Sequence, residues 1–566
     1  MNTDMLKNRI RCALGIKKAD LVLKNANIVN VFTGRIYKGD IAIYDGIIAG
    51  VGRGYRGEEE VDLDGLYVIP GLIDAHMHIE SSMLTPFYLA SAIVQHGTTC
   101  VIADPHEIAN VMGIEGIRFM IEDSKEAKID FFFMLPSCVP ATHLETSGAN
   151  LEWKQLSNLF KDPKILGLAE VMNYPGVLNQ DEGLLTKILN FQEKIIDGHC
   201  PGLKGRELQA YISVGIGSDH ESVDPQEAME KIENGMFLMI REGSTAKNME
   251  DLIRIIDKTN FHRACFVSDD LHPEDIEKRG HLDFILKKAV SLGLDPIMAI
   301  QMATINPATY FGLKDRGSIA PGKRADLVVL SDLKEFQIVD VYKDGRLITE
   351  EDKRLYRKKV NNIININGFF KEKLKVSYKA GKIRVIEIIP DQIVNKMVFV
   401  EPKSKEGEVV SDVDRDILKI CVVERHKGTG NVGVGFVKGF GIKKGAIASS
   451  VAHDSHNLIA VGVDDNDITQ AIFELRDMGG GMVVVCEGET LAKIRLEIGG
   501  LMTDRPIGEL LKEIEVIRRA TKFIGSNIKD PFMTLSFLAL PVIPELRITD
   551  KGLVDVNRFQ FVSLFV

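Results

Sequence analysis

The stretch that decides the fold is PGLIDAHMHIESSMLTP, at residues 70–86. An apolar run at residues 66–73 reads as a β-strand and leads into Asp74, His76 and His78. Side chains two residues apart on a strand point to the same face, so the two imidazoles can converge on one metal ion. Two locally hydrogen-bonded histidines at a strand end are the alternative. Ligands from other strand ends would decide between these interpretations.

Length and charge limit the class of protein. A chain of 566 residues exceeds the usual ~100 to 200 residues of one domain and predicts two or three domains. Its formal net charge of −10 argues against a nucleic-acid-binding protein, which concentrates Lys and Arg on one face. We therefore expect no nucleic-acid partner.

The cysteines and the apolar stretches predict the compartment. The seven cysteines are widely spaced and contain no C-x-x-C pair, which favours a reducing cytoplasm over a disulfide framework or a cysteine-ligated zinc site. The N-terminus has no signal-peptide pattern, and no apolar stretch reaches the ~18 residues that span a bilayer. We predict a cytoplasmic protein without a membrane partner.

Two distant segments have the pattern of antiparallel strands. Residues 19–51 alternate apolar and polar residues and contain Thr-Gly and Asp-Gly turns. Residues 321–330 and 339–348 have the same character. We expect the two segments to pair into one small β-domain that is interrupted by everything between them.

The region between these segments contains eight strand-like apolar runs, and most end in polar or catalytically capable residues. Helix-like stretches, such as residues 114–127 and 184–194, lie between several of them. This alternation over nearly 250 residues predicts an α/β fold with a (β/α)₈ TIM-like barrel, and a doubly wound open sheet is the alternative. The runs are residues 66–78, 99–107, 131–140, 165–173, 195–201, 214–221, 236–244 and 264–272.

The expected organisation has three parts. Residues 1–69 and 306–350 form the small β-sandwich-like domain, and residues 70–305 form the barrel. Residues 351–566 form a C-terminal α+β domain, because strand-like runs alternate there with two helix-like stretches at residues 468–477 and 507–520. The charged segment EEDKRLYRKK at residues 350–359 marks the boundary between the barrel side and this domain.

If the barrel forms, the ends of six strands bring histidines and carboxylates to one rim. A set of imidazoles and carboxylates without thiolates suits one or two divalent ions such as iron, manganese or zinc. For each residue alone, a hydrogen-bonded polar group is the commoner case, but their joint positions at successive strand ends favour the metal site. The residues are His76, His78, His106, Glu170, His199, His220 and Asp269.

Three further details refine this prediction. Glu170 lies within an apolar run, where an ionised carboxylate is costly unless it is ion-paired or bound to metal. Asp269 and Asp270 are adjacent on a strand, so only one should face the rim. AHDSHN, at residues 452–457, is a second histidine-rich segment, which is either a turn or a contact to substrate across a domain interface.

The zinc deaminase fold that needs a P-C-x-x-C motif is excluded.

These motifs resemble the amidohydrolase superfamily, and within it the adenine deaminase family of bacteria and archaea. The likeness runs from PGLIDAHMHIESSMLTP through DPHEIANVMG, LAEVMNYPGV and DGHCPGL to PGKRADLVVLSD. It continues beyond the barrel in GFGIKKGAIASSVAHDSHNLIAVG and LPVIPELRIT, and so covers almost the whole chain.

The resemblance implies a hydrolase with a binuclear manganese or iron centre, held by His76, His78, Glu170, His199, His220 and Asp269. Many members of the superfamily have a carboxylated lysine at strand four; Glu170 stands there in this chain and agrees with the adenine deaminase family. The implied reaction converts adenine to hypoxanthine and ammonia in purine metabolism, with hydroxide attacking C6. Asp269 and Glu170 are the implied catalytic residues.

The resemblance leaves the purine contacts open. We predict His106, Arg241, Glu242 and Ser244 as substrate-binding residues. For the last three, which lie at the end of the seventh run, a structural ion pair is the alternative. The alternative function is an amidohydrolase that acts on a cyclic amide. We also expect a homo-oligomer.

Overall fold

The computed structural model describes residues 2–349, 364–390 and 392–566. The charged segment at residues 350–359, predicted as a boundary, lies outside the described residues. Among the helices of the described ranges, none combines the length and the apolar character that crossing a bilayer requires.

The N-terminal segment is one short helix followed by a sheet. Helix α1 spans Thr3–Ala13 and precedes five strands. β1 lies at the centre, antiparallel to β2 and parallel to β4 and β5. The strands are β1 (Ala19–Asn30), β2 (Arg35–Tyr44), β3 (Ile47–Gly52), β4 (Gly57–Asp62) and β5 (Tyr67–Pro70).

The apolar run at residues 66–73 is two strands rather than the one predicted. β5 ends at Pro70 in the N-terminal sheet, and β6 begins at Leu72 in a different sheet. Gly71 makes the transition possible, because a Cβ at this position would lie 2.2 Å from Thr99 Oγ1. A hydrophobicity pattern cannot show which sheet receives each half of a continuous apolar run.

Eight parallel strands follow, one in each of the predicted runs. β6 to β10 form one sheet in the order β10-β9-β8-β7-β6, and β11 to β13 form another. Backbone hydrogen bonds continue across both gaps, from Gly217 N to Ile196 O at 2.9 Å and from Asp269 N to His76 O at 3.0 Å. The strands are β6 (Leu72–Met77), β7 (Thr98–Ala103), β8 (Asp130–Leu135), β9 (Ile165–Val171), β10 (Ile195–Gly198), β11 (Ser218–Asp219), β12 (Phe237–Arg241) and β13 (Ala264–Val267).

Helices follow most of these strands. They are α2 (Pro86–Ile93), α3 (His106–Ser124), α4 (Trp153–Leu156), α5 (Tyr174–Leu178), α6 (Glu182–Asn190), α7 (Gly205–Ser213), α8 (Pro225–Glu233), α9 (Met249–Leu252), α10 (Pro273–Arg279), α11 (Leu282–Ser291), α12 (Pro296–Met302) and α13 (Ile305–Tyr310). Alternate residues of the parallel strands, including Ile73, Ala75, Ala169, Met239 and Val267, pack in one buried cluster. Successive strands therefore turn one face each toward a shared interior.

The chain then returns to the N-terminal sheet. β14 (Leu327–Leu330), β15 (Ile338–Lys343) and β16 (Arg346–Leu347) join it through β14, which is antiparallel to β5. The result is one eight-stranded sheet built from both flanks of the parallel strands. We call it the flanking sheet.

The C-terminal region, from residue 364 onward, is built on a second eight-stranded sheet, in the order β18-β17-β22-β21-β24-β23-β25-β26. The strands of the whole C-terminal region are β17 (Ile383–Ile388), β18 (Asn395–Val400), β19 (Ser404–Lys405), β20 (Glu408–Val409), β21 (Ile417–Val423), β22 (Val432–Lys438), β23 (Ala446–Ser449), β24 (Leu458–Gly462), β25 (Gly481–Cys486), β26 (Glu489–Arg495), β27 (Leu546–Thr549), β28 (Gly552–Asp555) and β29 (Gln560–Val562). Its helices are α14 (Asp465–Met478), α15 (Ile507–Phe523) and α16 (Pro531–Phe537).

The C-terminal region contacts segments that follow the parallel strands in sequence. Thr503 pairs with Leu84 in a parallel bridge, and the backbone and hydroxyl of Thr146 both donate to Asp550, at 2.9 and 2.7 Å. These contacts join segments more than 400 residues apart in sequence. The segments after β6 and β8 therefore pack against the C-terminal region.

Candidate metal centre and active site

Three side chains converge after β6 and β13. His76 Nε2 and His78 Nε2 lie 3.2 Å apart, and each lies 3.3 Å from Asp269 Oδ1. All three residues are at least 96% buried. Asp269 reaches this position because its backbone is left-handed, with φ of 56°, which an aspartate adopts more readily than most residues. We call His76, His78 and Asp269 the first donor group.

Glu170, at the end of β9, connects this group to a second one. Its Oε2 lies 2.6 Å from His199 Nδ1 and 3.1 Å from His220 Nε2, while its Oε1 lies 3.5 Å from His78 Nε2. His76 and His220 stack with ring centroids 4.3 Å apart, so the two groups form one continuous cluster. We call Glu170, His199 and His220 the second donor group.

The spacing of these atoms fits shared cations. Donors about 2.1 Å from one tetrahedral ion are themselves about 3.4 Å apart, close to the 3.2 and 3.3 Å in the first donor group. Two histidine ring nitrogens that face each other at 3.2 Å need either a proton or a cation between them. The donor chemistry, imidazole and carboxylate without thiolate, suits manganese, iron or zinc.

The histidines and carboxylates also shift each other's pKa values. Burial raises the pKa of the Glu170 carboxyl group, but His199 and His220 outweigh this effect and hold it well below its ordinary value. Burial lowers the pKa of His199, but Glu221 and Glu170 raise it to about 9. Because a histidine binds metal only as the neutral base, a cation would displace these protons.

His106 lies beside the cluster, at the first position of α3. Its Nδ1 is 3.3 Å from Asp104 Oδ2 and 3.7 Å from Glu170 Oε1. Apart from this contact with each other, the two buried atoms, His106 Nδ1 and Asp104 Oδ2, have no hydrogen-bond partner among the residues that the structure describes. Buried polar atoms of this kind usually have a partner, so a ligand or an ion is expected to complete this part of the site.

Arg241, at the end of β12, holds Asp269 from the other side. Its guanidinium donates to Asp269 Oδ2 at 2.9 Å and also contacts Glu221. Asp270 diverges from Asp269, as expected, and accepts a hydrogen bond from Ser81 at 2.5 Å. Oδ1 of Asp269 is thereby directed at the histidines while Oδ2 is fixed by Arg241.

The other two residues of the predicted substrate group have different partners. Glu242 accepts a hydrogen bond from Lys288 of α11 at 2.9 Å, and Ser244 donates to Asp275 at 2.6 Å. The structure thus brings Arg241 and His106 to the donor groups, and it places Glu242 and Ser244 against α11 and α10.

The strand pattern does not predict two further carboxylates of the site. Glu221, one residue beyond His220, lies 3.5 Å from His220 Nε2 and contacts Arg241. Glu107, one residue beyond His106, contacts His453 and His456 of the AHDSHN segment. Both follow a predicted histidine directly, and that position beyond the strand end is the only sequence feature that could have indicated them.

Comparisons with known proteins cover the whole chain. The amidohydrolase family model matches residues 67–348, and the model of the adenine deaminase C-terminal domain matches residues 392–560. The adenine deaminase of Desulfatibacillum aliphaticivorans is 50% identical over 98% of this chain and 99% of its own length. The chain belongs to the adenine deaminase family. Adenine deaminase 2 of Carboxydothermus hydrogenoformans is also 50% identical, over 99% of each chain.

Solved structures match a smaller share of this adenine deaminase family member, at lower identity. A crystal structure of an adenine deaminase is 19% identical, with a TM-score of 0.46, and covers 59% of this chain and 100% of its own. The β-aspartyl dipeptidase of Fervidobacterium islandicum AW-1 is 17% identical, with a TM-score of 0.46 over 60% of this chain and 99% of its own.

Proposed function

We propose that this chain hydrolyses adenine to hypoxanthine and ammonia, a reaction of purine salvage or catabolism. The observation that carries the proposal is the 50% identity to an adenine deaminase over 98% of the chain. The cluster of buried imidazoles and carboxylates supports it, because hydrolytic deamination needs an activated water.

We propose two divalent ions, manganese or iron, with zinc as an alternative. The first donor group would hold one ion and the second donor group, which includes Glu170, would hold the other; the two oxygens of Glu170 lie beside histidines of both groups. When bound, the ions would lower the pKa of a water toward about 7, which makes hydroxide available at neutral pH.

The chain's own residues would guide the protons. Asp269 would take the water proton at Oδ1 and pass it toward the departing amine, as a general base and then a general acid. The C6–O bond of the purine forms and the C6–N6 bond breaks, so that one water is consumed and one ammonia is released. Burial raises the pKa of Asp269, but Arg241 and its histidine partners hold it well below its ordinary value, so it is ionised at neutral pH.

The purine contacts remain part of the proposal. We assign them to His106, Arg241, Glu242 and Ser244, of which His106 lies 3.7 Å from Glu170 and Arg241 lies 2.9 Å from Asp269. These two are the members of the set in direct contact with the donor groups.

The finer description of the fold is proposed here as well. Two findings support a closed eight-stranded barrel: the backbone hydrogen bonds across both gaps between the parallel sheets, and the shared interior of alternate residues.

The three-part division is also proposed. Its boundary at residue 306 cuts α13, whose Ala308 packs in that interior, so a boundary after the helix fits better. A homo-oligomer in the cytoplasm stays a prediction.

The decisive experiment combines activity with metal analysis. Protein loaded with manganese or iron should convert adenine to hypoxanthine, with one ammonia released per purine, and should contain two ions per chain. Chelation should abolish the reaction and reloading should restore it. Loaded protein that hydrolyses a cyclic amide and releases no ammonia from adenine would support the alternative function instead.

A further inference from the structure

The AHDSHN segment of the C-terminal region reaches the active-site side of the parallel strands. His453 Nδ1 lies 2.8 Å from Glu107 Oε1, and His456 Nε2 contacts Glu107 Oε2. Glu107 is separated from His453 by 346 residues, so the contact depends on the packing of the two parts of the chain. All three side chains are buried.

The imidazole ring of His106 separates Glu107 from the donor groups. His106 lies between them, with Nε2 at 3.5 Å from Glu107 Oε1 and Nδ1 at 3.7 Å from Glu170 Oε1. On its other side, Glu107 lines a small cavity together with Glu80, Ser81, His453 and His456. Apolar side chains complete the wall of that cavity: Met83, Val451, Leu501 and Met533. The cavity is only about 10 Å³, which is room for about one water molecule, so no purine fits inside it.

The three residues could be taken for a third cation site, since their ligand atoms lie close together. The hydrogen bonding of His456 argues against that. Its Nδ1 accepts the backbone N–H of Ala452 at 3.1 Å, so a neutral ring carries its proton on Nε2, the atom that faces Glu107. Burial lowers the pKa of His456 to about 4, which agrees with a neutral ring. No lone pair then points at the carboxylate for a metal to use.

The backbone of the segment is itself fixed. Arg425, which is 1% exposed, contacts the His456 carbonyl and donates to Gly499 O at 2.9 Å. Asn457 donates from its side chain to Thr146 O, in a loop after β8, at 2.8 Å. The His453 ring stacks on Phe537 of α16 with centroids 4.9 Å apart. The two histidines are therefore presented to Glu107 by a rigid frame.

We infer that His453 and His456 are positioning residues, which hold the Glu107 carboxylate against His106, the residue proposed to contact the purine beside the metal centre. His453 contacts Oε1 of Glu107, the oxygen that also faces His106, and His456 contacts Oε2. The C-terminal region is on this view part of the active site. The inference rests on the proposed function for its substrate.

The test uses the full-length, metal-loaded protein and two substitutions of His453. In H453N the side-chain amide nitrogen replaces Nδ1 and still donates to Glu107. In H453L no donor remains at position 453. We expect H453L to lower kcat/KM for adenine at least tenfold, and H453N to recover most of that loss. Metal content should be the same in both variants, because His453 does not belong to the donor groups. H453L should melt at a lower temperature than H453N, because it removes one donor from the buried Glu107.

A double-substitution cycle asks whether His453 acts through Glu107. If it does, H453L combined with E107Q should be no less active than E107Q alone. Full additivity of the two losses would overturn the inference, and so would the loss of one metal equivalent in H453L. As a matched control for H453L, H96L removes another histidine–carboxylate contact, His96 Nδ1 to Asp283 at 2.9 Å, and should leave kcat/KM unchanged.

These outcomes can be told apart from a failure of the proposed function. If wild-type protein releases no ammonia from adenine, the function is wrong, and the contact is then tested by binding of hypoxanthine to the same variants. A tenfold weaker binding to H453L than to H453N would still support the positioning role. Equal binding to both variants would overturn it.

Discussion

At the scale of single residues, Asp269 has two different environments on its two oxygens. Oδ1 faces His76 and His78 at 3.3 Å, and Oδ2 accepts a hydrogen bond from Arg241 at 2.9 Å. A carboxylate that is fixed through one oxygen and directs the other at the donor groups suits a general base. Arg241 sets this division, and a sequence pattern that identifies strand ends does not show it.

Replacing Asp269 by asparagine tests its role in proton transfer. Asparagine tolerates the left-handed backbone at this position and keeps the size of the side chain, but it cannot accept and return a proton. We expect turnover of adenine to fall by about 10² to 10⁴. Metal should remain bound, because the asparagine oxygen can take the place of Oδ1 in the first donor group and the predicted histidine ligands and Glu170 are unchanged. Metal analysis of the purified variant would check this.

Asp270→Asn provides the matched control for that prediction. Asp270 is the adjacent residue and bonds to Ser81 rather than to the donor groups. We expect it to change kcat much less than Asp269→Asn. Equal losses in the two variants would show that the loop, and not the proton chemistry of Asp269, explains the effect.

At the scale of elements, the strand pattern predicted where the site residues lie and could not predict what fixes them. All eight apolar runs contain a strand, because parallel strands buried on both faces have long apolar stretches. β11 is only two residues long, so its place in the sheet depends on neighbours and not on its own sequence. Glu170 and His199 meet because their strands are adjacent, which the order of the strands implies.

Contacts between distant elements could not be read from the sequence. Glu107 and His453 are joined by the packing of α3 against the C-terminal region, and no local pattern records that pairing. The division of residues 66–73 between two sheets has the same origin, since it depends on the tertiary packing around Gly71.

Helix α8 supports two of the loops that carry site histidines. Its Lys231 is fully buried and donates to Asp219 Oδ2 at 2.9 Å, to Glu227 Oε1 at 2.7 Å and to Cys200 O at 2.8 Å. Cys200 directly follows His199, and Asp219 directly precedes His220. One ammonium group therefore joins the loops after β10 and β11.

Lys231→Met should destabilise the protein and loosen the second donor group. The substitution leaves Asp219 and Glu227 buried without their cation, which costs about 3–5 kcal/mol. We expect a lower midpoint in urea unfolding and a smaller metal content after dialysis. Lys204→Met is the control, because Lys204 forms an exposed pair with Asp224 and should change stability by less than about 1 kcal/mol. Unchanged stability of Lys231→Met would contradict the supporting role of α8.

At the scale of the whole molecule, the end of the parallel strands away from the site is joined to the flanking sheet by charge. Asp130, the first residue of β8, lies 2.9 Å from Arg316 and Lys343 and 3.3 Å from Arg324. Lys343 belongs to β15 of the flanking sheet. Burial raises the pKa of the Asp130 carboxyl group, but Lys343, Arg316 and Arg324 outweigh burial and hold it below its ordinary value.

This network separates stability from catalysis, because the site lies at the carboxyl ends of the parallel strands and Asp130 lies at the amino end of β8. Asp130→Asn should therefore lower stability while the activity of the folded protein is retained. Removing the carboxylate leaves three cations without their shared partner, at a cost of about 3 kcal/mol near neutral pH. Urea unfolding and the turnover of adenine, measured on the same preparation, would check both expectations.

The pH dependence identifies the cause of that loss. The folded protein holds Asp130 at a pKa below that of the unfolded chain, about 3.9, so its ionisation stabilises the fold at every pH above that value. As the pH falls through the lower, folded pKa the stabilisation disappears. The difference between wild type and Asp130→Asn should thus be constant from pH 7 to about pH 5 and should shrink below about pH 4. Asp414→Asn, at a side chain that is 93% exposed, should show no difference from wild type at any of these values. A difference for Asp130→Asn that stays the same to the lowest pH would mean that packing, and not charge, joins the flanking sheet to the parallel strands.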